Sequence, residues 1–199
     1  MLKSVTVYCG SRNGTDPAYL ASAAEFGRSL ARAGLTLVYG GANVGLMGAL
    51  ANAALAAGGR VVGVIPENLV SKEIAHPTLT DLIVVSSMHE RKTKLFDLGD
   101  AFVALPGGAG TMDEWFEVFT WAQIGIHAKP IGILNHRGYY DSLLGLLTQM
   151  EREGFSAKEH RNLYCVATEA ATLLDALRSF RPPPLGDPAM DRRAPEPPR

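Results

Sequence analysis

The stretch AFVALPGGAGTMDEW, residues 101–115, decides the fold of this chain. It opens with a short apolar run of the kind that forms a buried β-strand. The run passes through a glycine-rich loop, residues 106–110, into a segment whose apolar spacing favours a helix. A strand that turns directly into a helix is the repeating unit of open α/β sheets, which bind ligands at such turns.

Six more apolar, β-branched runs alternate with segments of helical period. Two of these helical segments, residues 17–34 and 44–59, end on glycine, the usual residue just beyond a helix. The pattern predicts a Rossmann-like, doubly wound α/β sheet of about seven mostly parallel strands with helices on both faces. We place the strands at residues 4–9, 35–40, 60–65, 82–86, 101–105, 130–134 and 163–167.

The composition indicates a single globular domain. The 199 residues are 47% hydrophobic and carry a formal net charge of -1, with 19 Lys and Arg against 20 acids, so we expect no nucleic-acid partner. We assign residues 1–180 to one Rossmann-like domain. Residues 181–199 contain seven of the chain's 12 prolines, and we interpret them as a disordered tail.

The cysteines and histidines predict neither a disulfide framework nor a metal site. Cys9 and Cys165 lie far apart in sequence, outside any Cys-x-x-Cys spacing, and we interpret Cys9 as a small buried hydrophobe. The five histidines show no metal-ligand spacing. The sequence starts without a secretory signal pattern and has no 18-residue apolar span. We therefore expect a cytoplasmic protein that does not interact with membranes.

Three glycine-rich loops follow predicted strands one, two and five: residues 10–12, 40–48 and 106–111. In a parallel sheet they share the carboxyl edge, where backbone N–H groups and helix N-termini bind anions. A tight turn explains one glycine, but three within four residues, Gly107, Gly108 and Gly110, favour a phosphate site. The motifs of P-loop and strict dinucleotide-binding proteins are absent from the sequence.

Two charged clusters near these loops allow alternative interpretations. Thr111 and Glu114 have the spacing of a helix capping box, yet Asp113 and Glu114 would also lie in the first helical turn, close to a bound phosphate. The basic run that contains Arg91, Lys92 and Lys94 is either a solvated helix face or a partner for phosphate or carboxylate. The aromatic residues after Glu114 are predicted to be core: Trp115, Phe116, Phe119 and Trp121.

The segment PGGAGTMDE, residues 106–114, resembles the PGGxGTxxE motif of the LOG (Lonely Guy) family of cytokinin-activating phosphoribohydrolases. The resemblance extends over roughly residues 4 to 165. It includes YCGSRNGTDPAYLASA, LVYGGANVGLMGALANAAL, GGRVVGVIPENL, SSMHERK and FTWAQIGIHAKPIGILN. One departure is Ala109, where many family members carry a bulkier residue. The decarboxylase label often given to the family finds no support, because no lysine has a recognisable pyridoxal phosphate setting.

The resemblance implies a homodimeric hydrolase that cleaves the N-glycosidic bond of N6-modified adenosine 5′-monophosphates without metal or cofactor. It implies that residues 1–180 form a nucleotide-binding catalytic domain with two catalytic residues, Arg91 and Glu114. The substrate-binding residues it implies are Glu73, Met88, Lys92, Gly107, Gly108, Gly110, Thr111 and Thr120. Two alternatives stay open: a general AMP or nucleotide 5′-monophosphate nucleosidase, and a non-catalytic nucleotide-binding protein.

Overall fold

Seven parallel strands form one sheet in the computed structural model, which describes residues 2–70 and 74–183. The predicted number of strands is confirmed, and every strand pair in the described part of the chain is parallel. The strands are β1 Ser4–Tyr8, β2 Thr36–Tyr39, β3 Val61–Pro66, β4 Asp81–Val85, β5 Ala101–Ala104, β6 Ile131–Leu134 and β7 Tyr164–Ala167.

Helices connect the strands. They are α1 Pro17–Arg32, α2 Gly45–Ala56, α3 Glu67–Val70, α4 Met88–Leu98, α5 Ala109–Gln123, α6 Asp141–Arg152 and α7 Ala170–Ser179, with short 3-10 turns at His136–Gly138 and Lys158–Leu163. Gly34 and Gly58 follow the ends of α1 and α2 with φ values of 68° and 77°. Because a left-handed backbone is strained for other residues, these glycines end the helices as predicted.

The sheet separates two hydrophobic cores. Side chains of α1, α2 and α7 pack on one face, and side chains of α4, α5 and α6 pack on the other. Trp115 is fully buried and Phe119 is 4% exposed, so the aromatic run contributes to the second core as predicted. Helices on both faces confirm the doubly wound architecture.

The strand order is β4-β3-β2-β1-β5-β6-β7. The chain winds outward from β1 to β4, and then returns to the other side of β1 to build β5, β6 and β7. The loops after β1 and β5 therefore leave the sheet in opposite directions. This divergence opens a crevice at the carboxyl ends of the two central strands, where open α/β sheets bind ligands.

The end of the chain is described only in part. Residues 181–183 follow α7, and residues 184–199 of the predicted tail lie outside the described residues. None of the described helices is long and apolar enough to cross a membrane.

Candidate active site

A cavity of about 650 Å³ opens in this crevice. The loop after β1, the end of β2 and the loop after β5 form its floor and one side, while α4 and α5 supply the opposite wall. The three glycine-rich loops predicted to form an anion site therefore each contribute to one cavity. Its volume lies within the range of small-molecule sites.

The start of α5 differs from the capping-box interpretation. The helix begins at Ala109, with Gly108 as its N-cap and no side-chain hydrogen bond at the cap. Thr111 is already the third helical residue and is buried, and Glu114 lies in the second turn rather than the first. The capping box is therefore wrong, because Glu114 bonds elsewhere. The first N–H groups of a helix have no partner within it, which leaves them available to an anion.

The glycines of the loop after β5 serve two different purposes. A Cβ at Gly107 would collide with the Thr111 hydroxyl and come within 2.8 Å of the Gly10 amide nitrogen, so packing demands glycine there. A Cβ at Gly108 or Gly110 would meet nothing within 4 Å, and neither glycine has a positive φ. The protein itself does not need glycine at these two positions. The open space beside them instead suits the close approach of a ligand.

Arg91 and Glu114 form an ion pair in the cavity wall. Arg91 lies one turn into α4, as predicted, and its Nη1 donates to Glu114 Oε1 at 2.7 Å. Arg91 Nε donates to the Val64 carbonyl at 3.2 Å. A side chain at Gly40 would collide with the remaining guanidinium nitrogen. The carboxylate, the backbone of β3 and Gly40 together hold the guanidinium in one place.

Burial controls the electrostatics of this pair. Each of the two side chains is only 12% exposed. Burial raises the pKa of Glu114 above its ordinary value, and the neighbouring Arg91 charge opposes that rise. The pKa of Tyr8, which also lines the cavity, is raised by burial and by the negative charges of Glu114 and Glu117. The cavity therefore holds a carboxylate that depends on its guanidinium partner to stay ionised.

Two other predicted substrate contacts lie beside the pair. Met88 lines the cavity and is half exposed. Lys92 Nζ lies 2.7 Å from Asp113 Oδ2 and 3.6 Å from Glu117 Oε1, outside the cavity lining. Burial lowers the pKa of Lys92, but the bond to Asp113 and the Glu117 charge outweigh it and raise the pKa overall. Lys92 holds Asp113, which does line the cavity.

The last two predicted substrate contacts have different outcomes. Thr120 is exposed on α5, outside the lining, and its hydroxyl donates to the carbonyls of Phe116 at 2.8 Å and Glu117 at 2.9 Å. Glu73 lies outside the described residues. Their roles in substrate binding stay predictions.

Besides Tyr8, the sequence reasoning missed two aromatic residues of the lining. Tyr19 comes from the first turn of α1, and Tyr139 comes from the loop after β6. The Tyr139 hydroxyl donates to the Gly107 carbonyl at 2.7 Å. A usable signal was present for Tyr139, because it follows the end of a predicted strand by five residues at the edge that carries the glycine loops.

Cys9 lies at the floor of the cavity and is 8% exposed. Burial raises its pKa far above the usual range, which keeps the group a neutral thiol and agrees with its interpretation as a small hydrophobe. Both cysteines are free. Within residues 2–70 and 74–183, no group of three or more His, Cys, Asp or Glu side chains is placed to hold a metal ion.

Known proteins are similar in sequence to most of this chain. A family model described as "Possible lysine decarboxylase" matches residues 47–177. The cytokinin riboside 5′-monophosphate phosphoribohydrolase of Rhodococcoides fascians is 50% identical over 178 residues, which cover 89% of this chain and 90% of the relative. The chain belongs to the LOG family. LOG1 of Arabidopsis thaliana, named as the same enzyme, is 42% identical over 90% of this chain and 84% of its own.

Solved structures support the LOG-family fold at a greater distance. The molybdenum cofactor binding protein of Rippkaea orientalis has a TM-score of 0.69 and is 21% identical, covering 90% of this chain and 97% of its own. The Moco carrier protein of Chlamydomonas reinhardtii has a TM-score of 0.67, with 21% identity over 90% of this chain and 98% of its own. At this identity the likeness concerns the Rossmann-type fold alone.

Proposed function

We propose that this protein hydrolyses the N-glycosidic bond of cytokinin riboside 5′-monophosphates, which are N6-modified adenosine 5′-monophosphates, to a free base and ribose 5-phosphate. The observation that carries the proposal is the buried Arg91–Glu114 pair, which lies in one cavity with an uncapped helix start. The names of relatives 42–50% identical over about nine-tenths of the chain support the same reaction.

The start of α5 suits the 5′-phosphate. Gly108 and Gly110 leave open space at the helix N-terminus, where the helix dipole and backbone N–H groups favour a dianion. Thr111 is held between the loop and the core, and its hydroxyl packs against Gly107. Binding energy from the phosphate would position the ribose without taking part in the bond that breaks.

Glu114 suits the reacting carbon. As the bond from C1′ to the base nitrogen breaks, both electrons of that bond leave with the base and positive charge develops on the ribose. A fixed carboxylate in a site with little water stabilises that charge and directs a water molecule to C1′. Glu114 has this character, since it is buried, is paired with the Arg91 guanidinium and lines the cavity.

Arg91 has two roles in the proposal. It keeps Glu114 ionised, and its guanidinium stabilises negative charge that develops on the departing base. Arginine does not lose its proton at neutral pH, so it is not the acid that protonates the base. We assign that proton to water at the cavity mouth.

The test is a chromatographic assay of free base from isopentenyladenosine 5′-monophosphate, AMP and isopentenyladenosine, with the Glu114→Gln protein as control. We expect release from the isopentenyl nucleotide to exceed release from AMP, and the nucleoside without phosphate to react slowly. Glu114→Gln should lower turnover by about 10²- to 10⁴-fold, the usual contribution of a positioned acid or base. Equal or faster release from AMP would indicate a general nucleosidase, and no release would indicate a nucleotide-binding protein.

We also propose a homodimer that works in the cytoplasm. Leu82 and Val84 on the edge strand β4 and Met88 at the start of α4 are exposed apolar side chains, with 37%, 47% and 50% of their surfaces accessible. Clustered exposed apolar residues are typical of protein contacts. Thr120, which the family resemblance implies in substrate binding, does not reach the cavity of its own chain. Light scattering after gel filtration tests the dimer, and a monomeric mass at assay concentration would contradict it.

A further inference from the structure

Three successive carbonyls at the start of the glycine loop, those of residues 105–107, accept hydrogen bonds from two other segments of the chain, the loop after β1 and the loop after β6. The Tyr140 hydroxyl donates to the first at 2.6 Å, the Gly10 amide to the second at 3.0 Å and the Tyr139 hydroxyl to the third at 2.7 Å. These hydrogen bonds to its backbone carbonyls hold the loop that leads into α5. Among the described residues, the N–H groups of Gly107 and Gly108 have no backbone acceptor, which leaves them available for a ligand.

The third of these bonds determines where a helix-start amide points. In a planar trans peptide, the carbonyl and the next N–H point in opposite directions. When Tyr139 holds the Gly107 carbonyl, the N–H of Gly108 must therefore point away from Tyr139. Gly108 is the N-cap of α5, beside the open space described above.

Tyr139 and Tyr140 hold the loop in different settings. Tyr140 is 3% exposed, and the carbonyl it bonds belongs to the fully buried Leu105. That bond satisfies groups which water does not reach, so folding requires it. Tyr139 is 42% exposed, and water would replace its hydroxyl if the bond were lost. Its bond to Gly107 therefore contributes orientation rather than stability.

The ring of Tyr139 is itself fixed. It packs edge-on against Tyr19 at 5.5 Å and 77°, and against Tyr140 at 4.9 Å and 87°. Aromatic pairs in this geometry have a preferred orientation. An exposed hydroxyl on a fixed ring is suited to hold a mobile carbonyl in one direction.

We propose that Tyr139 is a positioning residue for substrate binding: through the Gly107 carbonyl it orients the backbone amides that hold the 5′-phosphate. The inference rests on the proposed function, because it assigns the phosphate to the start of α5. It predicts that the hydroxyl acts on binding of the phosphate and leaves the chemical step unchanged.

The test compares wild type with Tyr139→Phe and with Tyr164→Phe as the matched control. Tyr164 lies outside the cavity lining, with its ring edge-on to Trp115. For Tyr139→Phe we expect a KM for isopentenyladenosine 5′-monophosphate about three- to tenfold higher, the range for one hydrogen bond. The calorimetric Kd for ribose 5-phosphate should rise by the same factor. The kcat and the melting temperature should stay close to wild type, and Tyr164→Phe should match wild type in KM and Kd.

Amide hydrogen exchange in the ligand-free protein separates positioning from direct contact with the phosphate. Positioning predicts faster exchange in residues 107–111 of Tyr139→Phe. Unchanged exchange with weaker binding would overturn the proposal, as would unchanged binding, a fall in kcat alone, or a melting temperature lowered as much as by Tyr140→Phe. If wild type releases no base from any nucleotide, the proposed function fails, while ribose 5-phosphate binding and amide exchange still test Tyr139.

Discussion

Removing the positive partner from Glu114 offers a quantitative test of the active-site electrostatics. Arg91→Met keeps an apolar chain against the cavity wall and removes the guanidinium that bonds the carboxylate at 2.7 Å. Leaving one charge of a buried pair without its partner costs about 3–5 kcal/mol. Because both side chains retain 12% exposure, we expect the lower end, about 3 kcal/mol of unfolding free energy at pH 8.

Protonation of Glu114 limits this cost at low pH. Neutralising a carboxyl costs about 1.36 kcal/mol per pH unit above its unfolded pKa, for which we take the ordinary value of 4.5. At pH 8 protonation would cost about 5 kcal/mol, so the charge stays, whereas at pH 5.5 it costs only about 1.4 kcal/mol. When the folded pKa of a carboxyl group lies above its unfolded pKa, the protonated group contributes its full stability below the unfolded pKa. That contribution is lost as the pH rises through the folded pKa. The destabilisation by Arg91→Met should therefore fall by about half between pH 8 and pH 5.5.

Urea unfolding of four proteins at both pH values measures the effect: wild type, Arg91→Met, Glu114→Gln and the double variant. The double variant contains no buried charge at this site, so it should be more stable at pH 8 than Arg91→Met alone. Arg91→Met and the double variant both lack the hydrogen bond from Arg91 to the Val64 carbonyl. The difference in stability between them therefore does not include the loss of that bond. A destabilisation of Arg91→Met that is independent of pH, or additive with Glu114→Gln, would refute the reasoning.

Three further predictions concern the loop and the thiols. Gly110→Ala should raise the melting temperature slightly, because alanine favours a helix by about 0.5–1 kcal/mol over glycine. The same variant should raise KM at least about tenfold, because its methyl group enters the space that suits the ligand. Gly107→Ala should lower the melting temperature, because its methyl group collides with Thr111. Equal melting shifts of the two variants would contradict this distinction. Burial raises the pKa of Cys165 to about 11, so at pH 8 about 0.1% is thiolate and iodoacetamide labelling of the native protein should take hours; rapid labelling would disprove it. Tyr140→Phe should cost about 1–3 kcal/mol in urea unfolding, the usual effect of an unsatisfied buried carbonyl, and a loss under 0.5 kcal/mol would contradict its assigned role.

The sequence predicted the sheet well because apolar strands buried on both faces leave a strong local signal. Each of the seven runs became a strand, and Gly34 and Gly58 ended their helices. The start of α5 was misplaced because both Gly108 and Thr111 are acceptable N-caps. Local preference could not choose between them, and the pairing of Glu114 with Arg91, 23 residues away in sequence, decided the outcome.

The site was predicted in its elements but not in its contacts. The glycine loops, Arg91 and Glu114 follow strand ends or helix starts, which topology brings to one edge. Tyr139 was missed because its contribution is a single hydroxyl bonded to a backbone carbonyl 32 residues away. Its position after a predicted strand could have placed Tyr139 at the ligand edge, but a single sequence contains no pattern for the hydrogen bond itself.

The buried ion pair is better explained by chemistry than by stability. Replacing a buried pair with apolar side chains of similar volume is often neutral or stabilising, because desolvation offsets the attraction. The pair does not bridge the two cores either: Arg91 reaches it from the second turn of α4, and Glu114 from the second turn of α5 on the same face. What the pair does provide is a desolvated carboxyl group whose ionised form is favoured by the Arg91 charge, in the same cavity as an uncapped helix start. A cation forming at C1′ of a nucleotide anchored there is the species that this arrangement favours over its uncharged ground state.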